Sequence, residues 1–171
     1  MLYYFRICVL RNGFTLIELL IVIAITAILL ALSMPAFDSF FQKTAADVSR
    51  LQLLRALHFA RHEALSRSVN ISICQSKDRK TCSGEWQQGY IVFDKQKILQ
   101  IFPPQKGFIH WRAFRQQQAV LQFLPNGFSN AENGTFWYCT EKSDKPIWAI
   151  VMNKAGRTRE VLENIDVNLK C

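Results

Sequence analysis

The hydrophobic positions follow two different patterns that meet near Pro35. From Phe14 to Met34 the chain reads FTLIELLIVIAITAILLALSM, with one charge, Glu18, and polar Thr15, Thr26 and Ser33. As a helix this stretch is roughly 31 Å long, enough to cross a hydrocarbon core of about 30 Å. A buried helix of a soluble core keeps a polar face, but here the apolar residues run all round. The pattern predicts a transmembrane helix over 14–34.

Pro35 lacks a backbone donor and crowds the turn before it, which predicts a kink in any continuing helix. Beyond it, FDSFFQKTAADVSRLQLLRALHFARHEALSRS switches to amphipathic spacing. Leu51, Leu54, His58 and Leu65 approximate one face, with Leu53, Leu57 and Ala64 beside it and Arg50, Arg55 and Arg67 on the polar side. One long helix over 14–66 follows, its latter half packed on a head formed by 67–171.

The head alternates short apolar runs with turn residues. Val69–Cys74, Tyr90–Phe93, Lys97–Phe102, Phe108–Trp111, Ala119–Leu124, Thr135–Cys139, Ile147–Met152 and Glu160–Leu169 are rich in β-branched and aromatic residues and punctuated by Gly, Pro and Asn. They predict strands, with Asp94–Lys97 as a hairpin connection. The expected class is α+β, a long N-terminal helix on a β-rich head. A length of 171 residues suits one domain plus an appendage. Only seven Gly and five Pro exclude collagen-like and low-complexity chains.

The first residues, MLYYFRICVLRNG, carry Arg6 and Arg11 and no acid. Positive charge before a first apolar span keeps that end cytoplasmic and sends the rest across the inner membrane. The junction Gly13-Phe14-Thr15-Leu16-Ile17-Glu18 resembles the class III signal of type IV pilins and pseudopilins. That resemblance implies cleavage by prepilin peptidase between Gly13 and Phe14, removing a leader of residues 1–13, and N-methylation of Phe14. It implies assembly with other pilins in a surface pilus. A carboxylate within hydrocarbon costs on the order of 2.5–3.5 kcal/mol on insertion scales. Glu18 therefore has two readings: a partner for the Phe14 amine of a neighbouring subunit, or an acid snorkelling to interfacial water.

Motifs in the rest of the chain narrow the resemblance. Leu57–Ala64, LHFARHEA, resembles the alanine-arginine-x-glutamate-alanine helix of GspH/FimT-type minor pseudopilins. Trp86–Phe93, WQQGYIVF, resembles their tryptophan-x-x-glycine strand, and Phe123–Gly127, FLPNG, their phenylalanine-x-proline-x-glycine turn. Cys139 and Gly156-Arg157 complete the order. The fold so implied is type IV pilin-like.

Cys8 lies in the leader, leaving Cys74, Cys82, Cys139 and Cys171. An even count outside the cytoplasm suggests two disulfides, with three pairings possible. Cys74–Cys82 would close a local loop, and Cys139–Cys171 would pin the C-terminus; these are the favoured pairs. No CxxC supports zinc.

Enzyme signals are poor. His58 and His62 stand four apart, but Arg61 occupies the position where an inverted zinc motif needs Glu. No phosphate loop, dinucleotide fingerprint or nucleophile elbow occurs. Neither enzymatic activity nor a cofactor or metal is expected. The sequons at Asn70 and Asn133 are incidental in a chain with a bacterial signal.

Binding remains. All but two of the 21 basic residues and all but two of the 13 acidic ones lie from Phe41 onward, so that part carries the net charge of +8. Three basic clusters stand out: Lys77, Arg79 and Lys80; Lys95 to Arg115; and Lys154-Ala155-Gly156-Arg157-Thr158-Arg159. The third is the first choice, and the first is a secondary DNA-binding candidate that would extend the phosphate-contacting surface if its loop folds near the tail. Gly156 permits a turn with positive φ, and Arg157 and Arg159, two apart, point to one side of an extended strand. Guanidinium groups match phosphate geometry. GRTR also resembles the GRxR of FimT-type pilins associated with DNA uptake in natural transformation. The opposing reading is a solvated turn whose arginines pair with Glu160 and Glu163. The second cluster interleaves Phe102, Phe108, Trp111 and Phe114, which suits either base stacking or an aromatic core face.

The expected function is a DNA-binding minor pilin. A priming minor pilin without DNA binding and a type II secretion pseudopilin are the alternatives.

Overall fold

The computed structural model describes residues 14–95, 97–113, 120–130, 133–141, 143–166 and 168–171, without the side chains of 32–36. The expected leader, with Gly13, lies outside the described residues, as do Phe114 and Arg115. The chain divides into two compact units, Met1–Phe40 and Phe41–Cys171.

Helix α1 runs from Leu16 to Arg67, close to the 14–66 expected from the pattern. In the first unit, Thr15 Oγ1 accepts the backbone N–H of Glu18 at 3.3 Å, a side-chain cap for the first turn. The apolar side chains from Leu16 to Leu30 stand exposed. Among the described residues no helix is long and apolar enough to cross a membrane. The expected span over 14–34 falls partly on the undescribed side chains of 32–36.

In the second unit the helix buries a narrow stripe of Ala46, Ser49, Leu53, Ala56, Leu57, Ala60 and Ala64, each exposed by 1% or less. Leu53, Leu54, Leu57 and Ala64 of the expected face are buried, and the rest of that face is corrected. Leu51 and Leu65 are 45% and 47% exposed, and His58 is exposed as well. The reason is packing distance: small side chains at three- and four-residue spacing, Ala46 with Ser49 and Ala56 with Ala60 and Ala64, let the helix axis approach the sheets, and larger side chains are displaced to the flanks. Arg50, expected on the polar side, is largely buried and pairs with Asp47 and Glu160.

The strands are β1 (Ile71–Gln75), β2 (Tyr90–Asp94), β3 (Lys97–Phe102), β4 (Phe108–Ala113), β5 (Val120–Phe123), β6 (Gly134–Cys139), β7 (Trp148–Met152) and β8 (Thr158–Val161). They form two antiparallel four-stranded sheets, ordered β3-β2-β1-β5 and β4-β6-β7-β8. The expected hairpin is present, with Asp94 opposite Lys97. The last strand differs: it spans Thr158–Val161 instead of 160–169. Asn164 takes a positive φ of 52° and Asp166 Oδ1 accepts the Asn168 N–H at 3.0 Å, which bends the chain out of any ladder.

One core joins the helix stripe to the inner faces of both sheets. Trp148 Nε1 donates to the carbonyl of Ala46 at 2.8 Å, fixing β7 to the helix. Trp86, in a single 3-10 turn, packs edge-on against Phe136 at 5.0 Å between ring centres. Gly89 follows with φ of 112°, where a Cβ would lie 2.8 Å from the carbonyl oxygen of Phe102. The tryptophan-x-x-glycine spacing thus places a large core ring three residues before a backbone contact that only Gly permits. Disulfides join Cys74 to Cys82 and Cys139 to Cys171.

Candidate nucleic-acid interface

The Lys154–Arg159 segment is a hairpin between β7 and β8. Asn153 organises it: its N–H donates to the Arg157 carbonyl at 3.1 Å, and its Oδ1 accepts the Arg157 N–H at 3.0 Å. The Lys154 N–H donates to Asn133 Oδ1 at 3.1 Å, and its carbonyl accepts the Ser129 N–H at 2.9 Å. Gly156 is buried with φ of 69°; a Cβ there would meet the Gly127 carbonyl oxygen at 2.2 Å. The turn is therefore pressed against the FLPNG loop by its glycine, leaving Lys154 and Arg157 exposed.

Strand alternation separates the charges of β8. Thr158 and Glu160 turn toward the helix: Thr158 Oγ1 lies 3.1 Å from His58 Nε2, and Glu160 pairs with Arg50. Arg159 points to the opposite face, and Arg157 lies in the turn directly before the strand. Both are exposed. Among the described residues no ion pair joins either arginine to a carboxylate. The pairing of these arginines with Glu160 and Glu163 is thus not formed, because Arg50 engages Glu160 from the other side.

Lys77, Arg79 and Lys80 are exposed in the loop closed by Cys74–Cys82. Asp78 at its centre accepts hydrogen bonds from Thr81 N, Thr81 Oγ1, Lys80 N and Ser76 Oγ, and these donors hold its carboxyl well below the usual carboxylate range. This loop leaves the Cys74 end of β1. The GRTR hairpin lies by Phe123, which pairs with Ile71 at the other end. The structure does not bring the first and third clusters together.

The second cluster divides. Lys95, Lys97, Lys106 and Arg112 are exposed. Phe102 stacks on buried Tyr90 at 5.0 Å and Trp111 packs on Phe136 at 4.2 Å, so both serve the core. The sequence reading missed His110 and Trp137, which stack at 5.2 Å on the outer face of the second sheet. Their signal was the period-two alternation of FIHWRA and GTFWYC.

Of the two helix histidines, His58 is engaged by Thr158, and among the described residues no group of three His, Cys, Asp or Glu could hold a metal ion. Phe14 is 84% exposed, and Glu18 lies exposed in the first helical turn.

No curated protein matches the chain. The structure resembles the crystal structure of the type IV minor pilin FimU of Pseudomonas aeruginosa in space group P65, at 23% identity, covering 70% of this chain and 91% of that one with a TM-score of 0.52. FimU in space group P21 also matches, at 23% identity over 75% and 91% of the two chains and a TM-score of 0.49. The first likeness establishes a type IV pilin fold. The prokaryotic N-terminal methylation motif matches residues 10–34, and the family described as type II transport protein GspH matches residues 51–156. By that match the chain belongs to the GspH family.

Proposed function

We propose that this chain is a minor pilin of a type IV pilus that binds DNA during natural transformation, through Lys154, Arg157 and Arg159 of the GRTR hairpin. Its partners would be the phosphate backbone, other pilins, prepilin peptidase and the inner membrane. The observation that carries the reading is that both arginines are exposed while the carboxylate next in sequence, Glu160, is held by Arg50 on the other face. Fork-shaped donors with no competing acid suit phosphate oxygens. Such contacts position a duplex without reading its bases, so binding is non-specific and falls steeply with salt.

In this reading residues 14–34 anchor the mature chain, the head lies on the periplasmic side and Gly13–Phe14 is the processing site. The match to the methylation motif and the exposed apolar side chains from Leu16 to Leu30 support it. Glu18 meets the Phe14 amine of a neighbouring subunit.

The test uses the full chain in nonionic detergent with random-sequence DNA over a salt series. Arg157→Gln with Arg159→Gln should abolish most binding. Binding equal to wild type would move the site to another basic cluster. No binding by the folded wild type would leave the second reading, a pseudopilin acting through protein contacts, which the family's type II transport description favours.

A further inference from the structure

We infer that the DNA surface extends across the outer face of the second sheet to Arg112, whose guanidinium is positioned by Trp137. This rests on the DNA reading above and adds to it a second phosphate contact at the far edge of the sheet.

The ladder register supplies the geometry. Arg112 lies opposite Thr135, Thr135 opposite Val151, and Val151 opposite Arg159. Residues directly opposite in an antiparallel sheet share a face. These four therefore form one row across β4, β6, β7 and β8. Their chain neighbours Phe136 and Ile150 are fully buried in the core, so the row faces outward.

Arg112 is held in place. Its Cζ lies 5.8 Å from the centre of the Trp137 ring, within cation–π range. That ring is fixed in turn: it stacks on His110, and its Nε1 donates to the Lys170 carbonyl at 3.0 Å. The C-terminal tail, tied down by Cys139–Cys171 and buried Leu169, covers the Trp137 end of the face. At the two ends of the row Arg112 and Arg159 are exposed, and Thr135 and Val151 between them are half-buried.

Charge favours the same partner. The only carboxylate in these four strands is Glu160, which points away to Arg50. Arg112 and Arg159 thus flank a floor of two small side chains with no acid between them. Three interstrand gaps separate them, about 14 Å of backbone. Along one strand of a duplex that equals about four phosphate steps of 3.4 Å. Such a span fits an extended polyanion and is too wide for a single phosphate.

The experiment measures binding of random-sequence duplex DNA by the full chain in nonionic detergent over a salt series. Inorganic phosphate serves as a competitor. Arg112→Gln should weaken binding several-fold and lower the log–log salt slope by about 0.9, the value for one phosphate contact. Arg112→Lys keeps the charge but loses the planar ring contact, so affinity should fall with the slope unchanged. Lys77→Gln, Arg79→Gln and Lys80→Gln combined should leave affinity close to wild type, and phosphate at equal ionic strength should not compete. Wild-type binding by Arg112→Gln, with binding lost in the Arg157/Arg159 variant, would overturn this inference and leave the hairpin reading intact. Equal losses from Arg112→Gln and the triple variant would also overturn it, since total charge alone would then explain the effect. Absence of binding by the wild type overturns both readings together.

Discussion

Arg61 Nε donates to the carbonyl of Gly127 at 3.1 Å, tying α1 to the loop after β5. The same carbonyl oxygen lies where a Cβ on Gly156 would fall, 2.2 Å away. Three motifs far apart in the chain, AR-x-EA, FLPNG and GR, thus meet at one joint. The arginine reaches a carbonyl that a positive-φ glycine turns toward it, and the second glycine packs on that carbonyl. This joint sets the position of the basic hairpin, because Arg157 follows Gly156 directly.

Gly156→Ala should therefore destabilise the head by at least about 2 kcal/mol, combining a left-handed backbone cost with a clash against backbone that cannot rotate away. Chemical denaturation measures it. Arg157→Gln with Arg159→Gln is the control, and should stay within about 0.5 kcal/mol of wild type because both side chains are exposed. A Gly156→Ala head as stable as wild type would contradict the tight joint.

The two disulfides should contribute unequally. Cys139–Cys171 closes a sequence separation of 32 residues and Cys74–Cys82 one of 8. Chain-entropy arguments give about 3.7 kcal/mol for the longer loop and about 2.6 kcal/mol for the shorter. Replacing Cys139 and Cys171 by Ser should lower the denaturation midpoint more than replacing Cys74 and Cys82. The longer bond also holds the tail whose Lys170 carbonyl fixes Trp137, so its loss should alter tryptophan fluorescence as well.

The helix, the first seven strand positions and the hairpin at Asp94–Lys97 are legible because periodicity and turn residues act locally, whereas the last strand lies at Thr158–Val161 and not over 160–169. The helix stripe is legible in part: Leu53, Leu54, Leu57 and Ala64 are buried, but leucines dominate a hydrophobicity pattern, so exposed Leu51 and Leu65 stand out in it while Ala56 and Ala60, which form the contact because they are small, do not. The opposing reading pairs Glu160 with Arg157 or Arg159, yet strand alternation sends Glu160 to Arg50, 110 residues away. The row linking Arg112 to Arg159 depends on sheet order, which a single sequence does not encode in any local pattern. His110 and Trp137 were overlooked for the same reason. Each looks like one more aromatic strand residue until the register places them side by side.

Asp78 should stay ionised in acid. Its hydrogen-bond donors, the Thr81 N–H foremost, lower its folded value below the unfolded value of 3.8. A depressed carboxylate contributes stability that is present above the unfolded value and lost as pH falls through the folded one. The Thr81 amide shift, followed by NMR, should hold steady through pH 4 and move only well below it. A midpoint near the ordinary Asp value would contradict the capped loop, and Asp78→Asn should remove the transition.

Replacement of Gly13 should leave the precursor uncleaved, since the methylation motif match spans residues 10–34. Mass analysis of the membrane-extracted chain reads it directly: wild type begins at a methylated Phe14, and the variant retains its first 13 residues. Normal processing of the variant would contradict the assigned junction.

Glu160→Gln separates the two accounts of the basic hairpin. Were Glu160 a partner of Arg157 or Arg159, its removal would free a guanidinium and sharply strengthen DNA binding. It pairs instead with Arg50, whose side chain is only 16% exposed and whose other carboxylate partner is Asp47 at 3.2 Å. The expected cost falls on stability, about 1–2 kcal/mol for weakening a charged hydrogen bond at a mostly buried cation. DNA affinity should rise only slightly, by the long-range effect of one fewer negative charge, with the salt slope unchanged because no phosphate contact is gained. A slope steeper by about 0.9 would mean that Glu160 had been masking an arginine after all.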